Sequence, residues 1–294
     1  MIEKYKLATH QKHPHLGFAY VDGDHKSDFA MHTHDFSELF LVTSGRGVHN
    51  VATHQYPLQA GDVFVINGDT EHGFQDVEQL KLINLMFDAN NPFFESSTMR
   101  CLAGYQALFK IEPFVRLTSD YQAKLTLTGA DLATVIRLLE QIRKEYERAE
   151  SGFEIMISGT MQQLIVHLAR IYQNQQSALP TTTLALGRAI AYIEQNFHTI
   201  EISSEQIARH AFISKRQLER LFRQFFNTSP TRYVRTLQLN FAQTLLLSGE
   251  KKSIQSVAEQ SGFSDSNYFS KCFKHAYNIT PRQYRTQNRH QYSE

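Results

Sequence analysis

The last third of the chain contains one structural pattern twice, and this repeat limits what the chain can fold into. Four residues of the first copy recur fifty or fifty-one positions later, pairing Ala208 with Ala258, Leu218 with Phe269, Phe222 with Phe273 and Pro230 with Pro281. The one-residue slip lies between Ser264 and Phe269. Each copy predicts a short helix, a tight turn, a second helix and a Ser-Pro or Thr-Pro helix start. Two helix-turn-helix units joined by a long helix over residues 230–247 fit this pattern.

The second helix of each unit divides into an apolar stripe and a polar face. The predicted stripes are Leu218, Leu221, Phe222 and Phe225 in the first unit and Phe269, Phe273 and Tyr277 in the second. The opposite faces carry Arg216, Glu219, Arg220 and Arg223 in the first unit and Ser266, Asn267, Ser270 and Lys271 in the second. Side chains of these types reach base edges and phosphates from a helix in the major groove. We predict that they bind double-stranded DNA; the alternative is a helical bundle with a solvated basic face.

The charge of the chain is unevenly distributed along its length. Residues 184–294 hold 15 Lys and Arg against 8 Asp and Glu, whereas residues 1–183 hold 15 against 21. A basic segment beside an acidic one indicates that only the C-terminal part meets a polyanion. The connecting helix would be about 27 Å long. Two units joined by it could approach successive major-groove segments about 34 Å apart if the DNA bends slightly.

The second unit resembles a known family of transcription regulators. The segment "VAEQSGFSDSNYFSKCFKHAYNITPRQYR" contains, in order, the Gly-Phe, Tyr-Phe, Phe-Lys and Thr-Pro-x-x-Tyr-Arg elements of the AraC/XylS signature. The resemblance covers the whole DNA-binding domain of that family and implies base or backbone contacts from the helix faces given above. Asn227 and Asn278 replace glycines usual in the family, and both can adopt the left-handed helix cap. Gln238 stands where the family often has Arg, which weakens any expectation of DNA contacts from the long helix.

The first part of the chain predicts a different architecture. Short β-rich runs separated by glycines over residues 16–88 indicate a small antiparallel barrel or sandwich. Helical periodicity begins at Asp131, a second helix follows over residues 153–172, and the stretch "QNQQSALPTTT" is typical of a linker. The expected fold is multidomain α+β. It comprises a cupin-like barrel with dimerisation helices (1–173), a linker (174–183) and an all-α double helix-turn-helix domain (184–294).

The stretch "HTHDFSELFLVTSG" resembles the first cupin motif, with His32, His34, Glu38 and Gly45 in the matching spacing. The second motif is partial, since His72 fits but Asn67, Asp69 and Asp76 replace the usual residues. His32, His34 and Glu38 share strand parity, so they could point into one barrel interior. Three interpretations are open: a catalytic site for Fe, Mn, Ni or Zn on His32, His34, Glu38 and His72, a pocket for a small polar effector, or a structural cluster without a ligand. A DNA-binding domain on the same chain favours the effector pocket, with or without metal, and no enzymatic activity.

The N-terminal half also resembles, more loosely, sugar-responsive members of the family of the L-rhamnose type. The resemblance implies a carbohydrate effector. Candidate effector-binding residues are His32, His34, Glu38, Phe40, His72 and Asn84, and all of them except His72 could equally belong to the core. It also implies RNA polymerase as a partner and a homodimer, with a seam on the apolar helix stripe. That stripe consists of Leu132, Val135, Leu139, Ile142 and Tyr146, and its alternative role is packing onto the barrel.

Two remaining features bear on the compartment. The two cysteines, Cys101 and Cys272, cannot form a disulfide framework and are typical of free thiols in a reducing compartment. The first fifteen residues lack the apolar core of a signal peptide, and no apolar run approaches the length of a membrane span. We expect a cytoplasmic activator without a membrane partner.

Overall fold

The computed structural model describes residues 2–88, 92–118, 124–175, 181–199, 202–248 and 252–288. The chain divides into two compact units, Met1–Gly187 and Arg188–Glu294. The first contains all of the described strands, and the second is helical. The expected combination of a sheet-rich domain followed by an all-α domain is therefore confirmed.

An eight-stranded sheet forms the frame of the N-terminal unit. Its strands are β1 (Glu3–Tyr5), β2 (Phe18–His25), β3 (Phe29–His34), β4 (Ser37–Val51), β5 (His54–Leu58), β6 (Asp62–Ile66), β7 (His72–Phe87) and β8 (Leu125–Thr126). The order is β1-β3-β7-β4-β6-β8, with β2 also paired to β7 and β5 to β4. The long strands β4 and β7 pair with different neighbours at their two ends, which gives the curled, cupin-like sheet.

Gly61 and Gly68 lie between strands, as the sequence predicted, but Gly45 and Gly47 do not. The runs "ELFLVT" and "GVHNV" both lie within β4, although Gly45 stands between them and Gly47 begins the second. The register of β4 against β7 shifts three times between Val42 and Val48. Bulges of this kind bend a strand without ending it, and Gly45, at φ +81°, supplies the backbone angle that the bend requires.

Helices follow the sheet and complete the core of the N-terminal unit. They are α1 (Ser97–Arg100), α2 (Ala103–Tyr105), a π-helix (Gln106–Ile111), α3 (Glu112–Thr118), α4 (Gly129–Arg148) and α5 (Phe153–Asn174). Side chains of α4 and α5 form one buried cluster with apolar residues of the sheet, including Leu39 and Leu85. The apolar periodicity of both helices is thus explained by packing within the chain.

The apolar stripe of α4 is buried within its own unit, so the prediction that it forms a dimer seam is wrong. Val135, Leu139, Ile142 and Tyr146 are each at most 5% exposed and belong to the core cluster of their own unit. Leu132 is partly buried against the same cluster. Because these side chains are already covered, they cannot form the surface of a second interface. Packing onto the barrel, the alternative role of the stripe, is what the structure shows.

The segment predicted as a linker is helical at both of its ends. Asn174 is the last residue of α5, and α6 (Thr181–Asn196) begins at Thr181. The central part, residues 176–180, lies outside the described residues. The division between the units falls within α6, after Gly187, rather than at the predicted residue 184. Leu184 packs into the N-terminal core, which explains why the first turn of this helix belongs to the first unit.

The C-terminal unit contains the predicted repeat. After α6 its helices are α7 (Ser204–His210), α8 (Lys215–Phe226), α9 (Pro230–Leu247), α10 (Ile254–Gln260), α11 (Ser266–Tyr277) and α12 (Pro281–Asn288). Asn227 and Asn278 end α8 and α11 at φ +49° and +62°, so the predicted left-handed caps are confirmed. Among the described residues, no helix combines the length and apolar character that crossing a bilayer requires.

Candidate functional site

A cavity of about 310 Å³ opens in the N-terminal unit. Rings form much of its wall, and Glu38, His72 and Asn84 contribute polar groups. The lining residues are Tyr5, His10, Val21, Asp22, Gly23, His25, Phe29, His32, Phe36, Glu38, His72, Phe74, Leu82, Asn84 and Met86. A concave site with many apolar side chains and a few polar groups is typical of small-molecule binding.

The polar groups of the cavity converge on Glu38. Asn84 Nδ2 donates a hydrogen bond of 2.7 Å to Glu38 Oε2. Glu38 Oε1 lies 3.5 Å from His72 Nε2 and 3.9 Å from His34 Nε2. His34, Glu38 and His72 are all buried. Glu38 stands on β4 rather than on the strand of His34, so these groups meet across the β3–β4 connection and not through the parity of a single strand.

Burial determines the protonation of this cluster. It raises the pKa of Glu38 to about 7, although the hydrogen bond from Asn84 opposes the increase. It lowers the pKa of His34 to about 4 and the pKa of His72 well below its ordinary value. Near neutral pH the imidazoles are therefore uncharged. Glu38 is present in both protonation states, so it can donate or accept a hydrogen bond to a ligand hydroxyl.

The same cluster fits a metal ion. His34 Nδ1 lies 2.6 Å from the carbonyl oxygen of Phe36 and must donate to it, which leaves the lone pair on Nε2. The Nε2 atoms of His34 and His72 have no hydrogen-bond partner among the described residues. With one Glu38 oxygen, these atoms all lie within 4.8 Å of one another. Two imidazoles and one carboxylate suit Fe, Mn, Ni or Zn.

Two of the predicted effector residues, His32 and Phe40, differ in their relation to the cavity. His32 lines the cavity, with its ring centroid 4.2 Å from that of His72, but it is not part of the cluster that fits a metal. Its Nδ1 lies 3.0 Å from the carbonyl oxygen of Ala30. Phe40 does not line the cavity; it is fully buried and stacks on Phe64, so its predicted role as a ligand contact is wrong.

His49 is a member of the site that sequence reasoning missed. It is fully buried, and its Nε2 lies 3.2 Å from Nδ1 of His72. The direction of this hydrogen bond determines which nitrogen of His72 carries the proton, so His49 positions a residue that touches the cavity. The motif spacing gave no signal for His49, because the bulges of β4 lie between it and Glu38.

The polar faces of α8 and α11 are on the protein surface. Arg216, Glu219, Arg220, Arg223, Asn267 and Lys271 are exposed, and Ser266 and Ser270 are half-buried. Beneath them Leu218, Leu221, Phe222, Phe269 and Phe273 are buried, as the periodicity predicted. Arg220 and Lys271 occupy the same position of the two repeated units, fifty-one residues apart. The structure thus presents one cation at the same place on each helix.

The turns before these helices explain the slip in the repeat. The backbone N–H of Ile213 donates to the carbonyl of Ala208, and the N–H of Phe263 donates to that of Ala258. Ser214 caps α8, whereas Asp265 caps α11. The extra residue of the second unit is therefore Ser264, between Phe263 and the cap.

Gln238, which weakened the expectation of DNA contacts from α9, has a structural role instead. It is buried, and its Nε2 donates to the carbonyl oxygens of Phe197 at 2.7 Å and Gly262 at 3.3 Å. These hydrogen bonds attach the turn of the second helix-turn-helix unit to α9 and to the end of α6. No contact from Gln238 to a ligand outside the chain is compatible with this burial.

A ligand-binding barrel followed by a double helix-turn-helix reader defines a DNA-binding transcription regulator of the ligand-responsive class. Residues 15–165 match the family described as AraC-like ligand binding domain, and residues 207–287 match a helix-turn-helix domain. The first match alone covers more than half of the chain, and the chain belongs to the AraC family.

Two curated relatives match this chain over most of their own length. The chain is 28% identical over 257 residues to the HTH-type transcriptional activator RhaS of Mannheimia succiniciproducens, which covers 87% of this chain and 89% of that protein. It is 27% identical over 258 residues to the HTH-type transcriptional activator RhaR of Yersinia pestis, covering 87% and 84%. A solved transcriptional regulator with an AraC-type DNA-binding domain, from Chromobacterium violaceum, is 38% identical; it covers 37% of this chain and 95% of that chain, with a TM-score of 0.34.

Proposed function

We propose that this regulator is a transcriptional activator that inserts α8 and α11 into two successive major-groove segments of its operator. The observation that carries the proposal is the repeated exposure of a cation at Arg220 and Lys271 over a buried apolar stripe. Such an activator would act on DNA and RNA polymerase in the cytoplasm. The AraC/XylS resemblance and the relatives named as activators support the same role.

Replacement of Arg220 or Lys271 by alanine is expected to weaken operator binding by about 1–3 kcal/mol, which is the worth of one good base contact. The operator is first selected from a random duplex pool with the wild-type protein, and affinities are measured by gel shift. Lys144→Ala, which removes an exposed cation of α4, is the matched control and should bind like wild type. Unchanged binding by both reader variants would contradict the proposed groove contacts.

We further propose that the regulator acts as a homodimer, which doubles the number of half-sites it can contact. The apolar stripe of α4 is buried, but α4 also carries the exposed side chain of Ile136, and α5 carries those of Ile155 and Met156. An exposed apolar set on adjacent helices suits a second copy of the same surface. Sedimentation of the proteins used for the gel shifts should give the mass of two chains; a single chain at micromolar concentration would contradict this.

The effector is proposed to be an uncharged sugar. The described cavity lining offers aromatic faces for a sugar ring and the Glu38–Asn84 pair for its hydroxyls, but no Lys or Arg for a carboxylate. Its volume of about 310 Å³ lies at the small end of ligand pockets, which suits a monosaccharide. Binding regulates DNA occupancy only if the sugar prefers one arrangement of the chain over another.

Neutral monosaccharides are expected to raise the melting temperature in a thermal-shift screen, whereas uronates are not. A ligand at one hundred times its Kd adds about 2.7 kcal/mol, which corresponds to roughly 5–10 °C for a unit of this size. Asn84→Leu should lose the shift because it removes the amide beside Glu38. Asn50→Leu, on β4 outside the cavity, is the control that should keep it. A larger shift with uronates would contradict the uncharged class.

A metal-dependent site, either in a sensor or in a cupin-type enzyme, is the second candidate. The Nε2 atoms of His34 and His72, which lie beside Glu38 and lack a hydrogen-bond partner in the described part of the chain, favour it. Mass spectrometry of the protein used in the sugar screen measures the metal content, and the screen is repeated after chelation. One equivalent of metal whose removal abolishes the sugar shift would establish metal dependence. Turnover of a sugar by the metal-loaded protein would favour the enzyme.

A further inference from the structure

Phe212, in the turn between α7 and α8, combines a left-handed backbone with an exposed side chain. Its φ is +56°, and 80% of its surface is exposed. The corresponding turn residue of the second unit is Gly262, at φ +84°. The two turns share the hydrogen bond that closes them, from Ile213 N to Ala208 O and from Phe263 N to Ala258 O. The first unit therefore places an aromatic residue where the geometry favours glycine.

Nothing within the described chain compensates for this choice. The left-handed region is strained for a bulky residue, and a ring in water contributes no hydrophobic stabilisation. Among the described residues, the ring contacts Arg188 of α6, whose guanidinium carbon lies 5.3 Å from the ring centroid. A cation–π pair at an exposed site is weak. A strained and exposed residue of this kind points to a function outside the fold.

The position of the turn points to DNA as the partner, an inference that rests on the proposed insertion of α8 into the major groove. The N-terminal residues of a recognition helix contact base edges, so the residues just before that helix lie at the rim of the groove, beside the sugar–phosphate strand. Phe212 stands two residues before Ser214, the cap of α8. Arg209, at the end of α7, is exposed near it in sequence, and the segment 184–294 is basic. An aromatic ring beside a cation suits the apolar face of a deoxyribose flanked by phosphates.

We propose that Phe212 packs against a deoxyribose at the edge of the first half-site, and that Arg188, stacked on the ring, pairs with an adjacent phosphate. The contact adds affinity without reading sequence, because every nucleotide presents the same sugar and phosphate. Phe212 is thus a DNA-binding residue in addition to those on the polar face of α8.

Glycine and asparagine at position 212 test this contact, because both tolerate the left-handed backbone and both lack the ring. Phe212→Gly and Phe212→Asn are expected to raise the melting temperature and yet to weaken duplex binding about fivefold, or roughly 1 kcal/mol. Phe212→Tyr keeps the ring and should bind like wild type. The probes are the duplex selected by the wild-type protein and a mixed-sequence duplex of equal length. The loss should be similar on both.

Arg188→Gln gives an independent readout. Removing one phosphate contact should lower the slope of log affinity against log salt by about 0.9. A purely structural role for Phe212 would make stability and affinity change in the same direction. If the glycine and asparagine variants bind both duplexes as tightly as wild type, the DNA contact does not exist. Retained DNA binding with loss of activation in a reconstituted transcription assay would assign the ring to a protein partner instead.

Discussion

Replacement of Arg116 by methionine is expected to destabilise the N-terminal unit by about 3–5 kcal/mol. Arg116, on α3, is 1% exposed and pairs with Glu112, one helical turn earlier and equally buried. Its guanidinium carbon lies 4.6 Å from the ring centroid of Tyr56 and 4.7 Å from that of Phe64. Methionine fills much of the same volume but removes the guanidinium that pairs with the buried Glu112 carboxylate. The penalty is thus for the broken ion pair and not for a cavity.

A double-mutant cycle separates the cost of breaking the ion pair from the cost of losing the aromatic contacts of the guanidinium. In Glu112→Leu/Arg116→Met both charges are gone, so most of the lost stability should return, because a buried ion pair contributes little relative to an apolar pair of similar volume. Calorimetry of the wild type, both single variants and the double variant gives the coupling energy. If the double variant is as unstable as Arg116→Met alone, the loss comes from the aromatic contacts of the guanidinium rather than from the broken ion pair.

The sequence could predict the C-terminal unit in detail because its constraints are local. Caps, left-handed asparagines and helical periodicity each act within one or two turns. The repeat also allowed each helix of one unit to be compared with its counterpart in the other. Arg220 and Lys271 could be placed on one exposed face from spacing alone. Phe212 could not be singled out, because it is distinguished by a left-handed backbone angle, and a phenylalanine in a sequence does not indicate such an angle.

The N-terminal site was only partly predictable because its residues meet across strands. The His-x-His-x3-Glu spacing identified His34 and Glu38, and the partial second motif added His72. The position of His49 depends on the bulges of β4, which shift its register against β7. The alternation of residues along the sequence does not predict these shifts. The amphipathic stripe of α4 was readable, but whether it faces its own core or a partner depends on tertiary packing.

Gly262→Ala is expected to destabilise the C-terminal unit by about 3 kcal/mol or more and to abolish operator binding at concentrations that saturate the wild type. A Cβ at this position would lie 2.6 Å from Gln238 Nε2 and 2.7 Å from the carbonyl oxygen of Phe197. Those two atoms are already hydrogen-bonded to each other at 2.7 Å. The new methyl group must therefore separate them, in addition to imposing the left-handed strain at φ +84°. A unit of about one hundred residues should lose at least roughly 12 °C in melting temperature.

Gly159→Ala is the matched control, because the same methyl group at Gly159 of α5 would meet nothing within 4 Å. This change should stabilise the N-terminal unit by about 0.5–1 kcal/mol, since alanine is the better helix former. The two substitutions thus have opposite expected signs for one chemical change, and calorimetry measures both. An unchanged melting temperature for Gly262→Ala would mean that Gln238 and Phe197 can separate at no cost. The turn before α11 would then be held by α10 and the Asp265 cap alone, and the DNA affinity of that variant should remain that of the wild type.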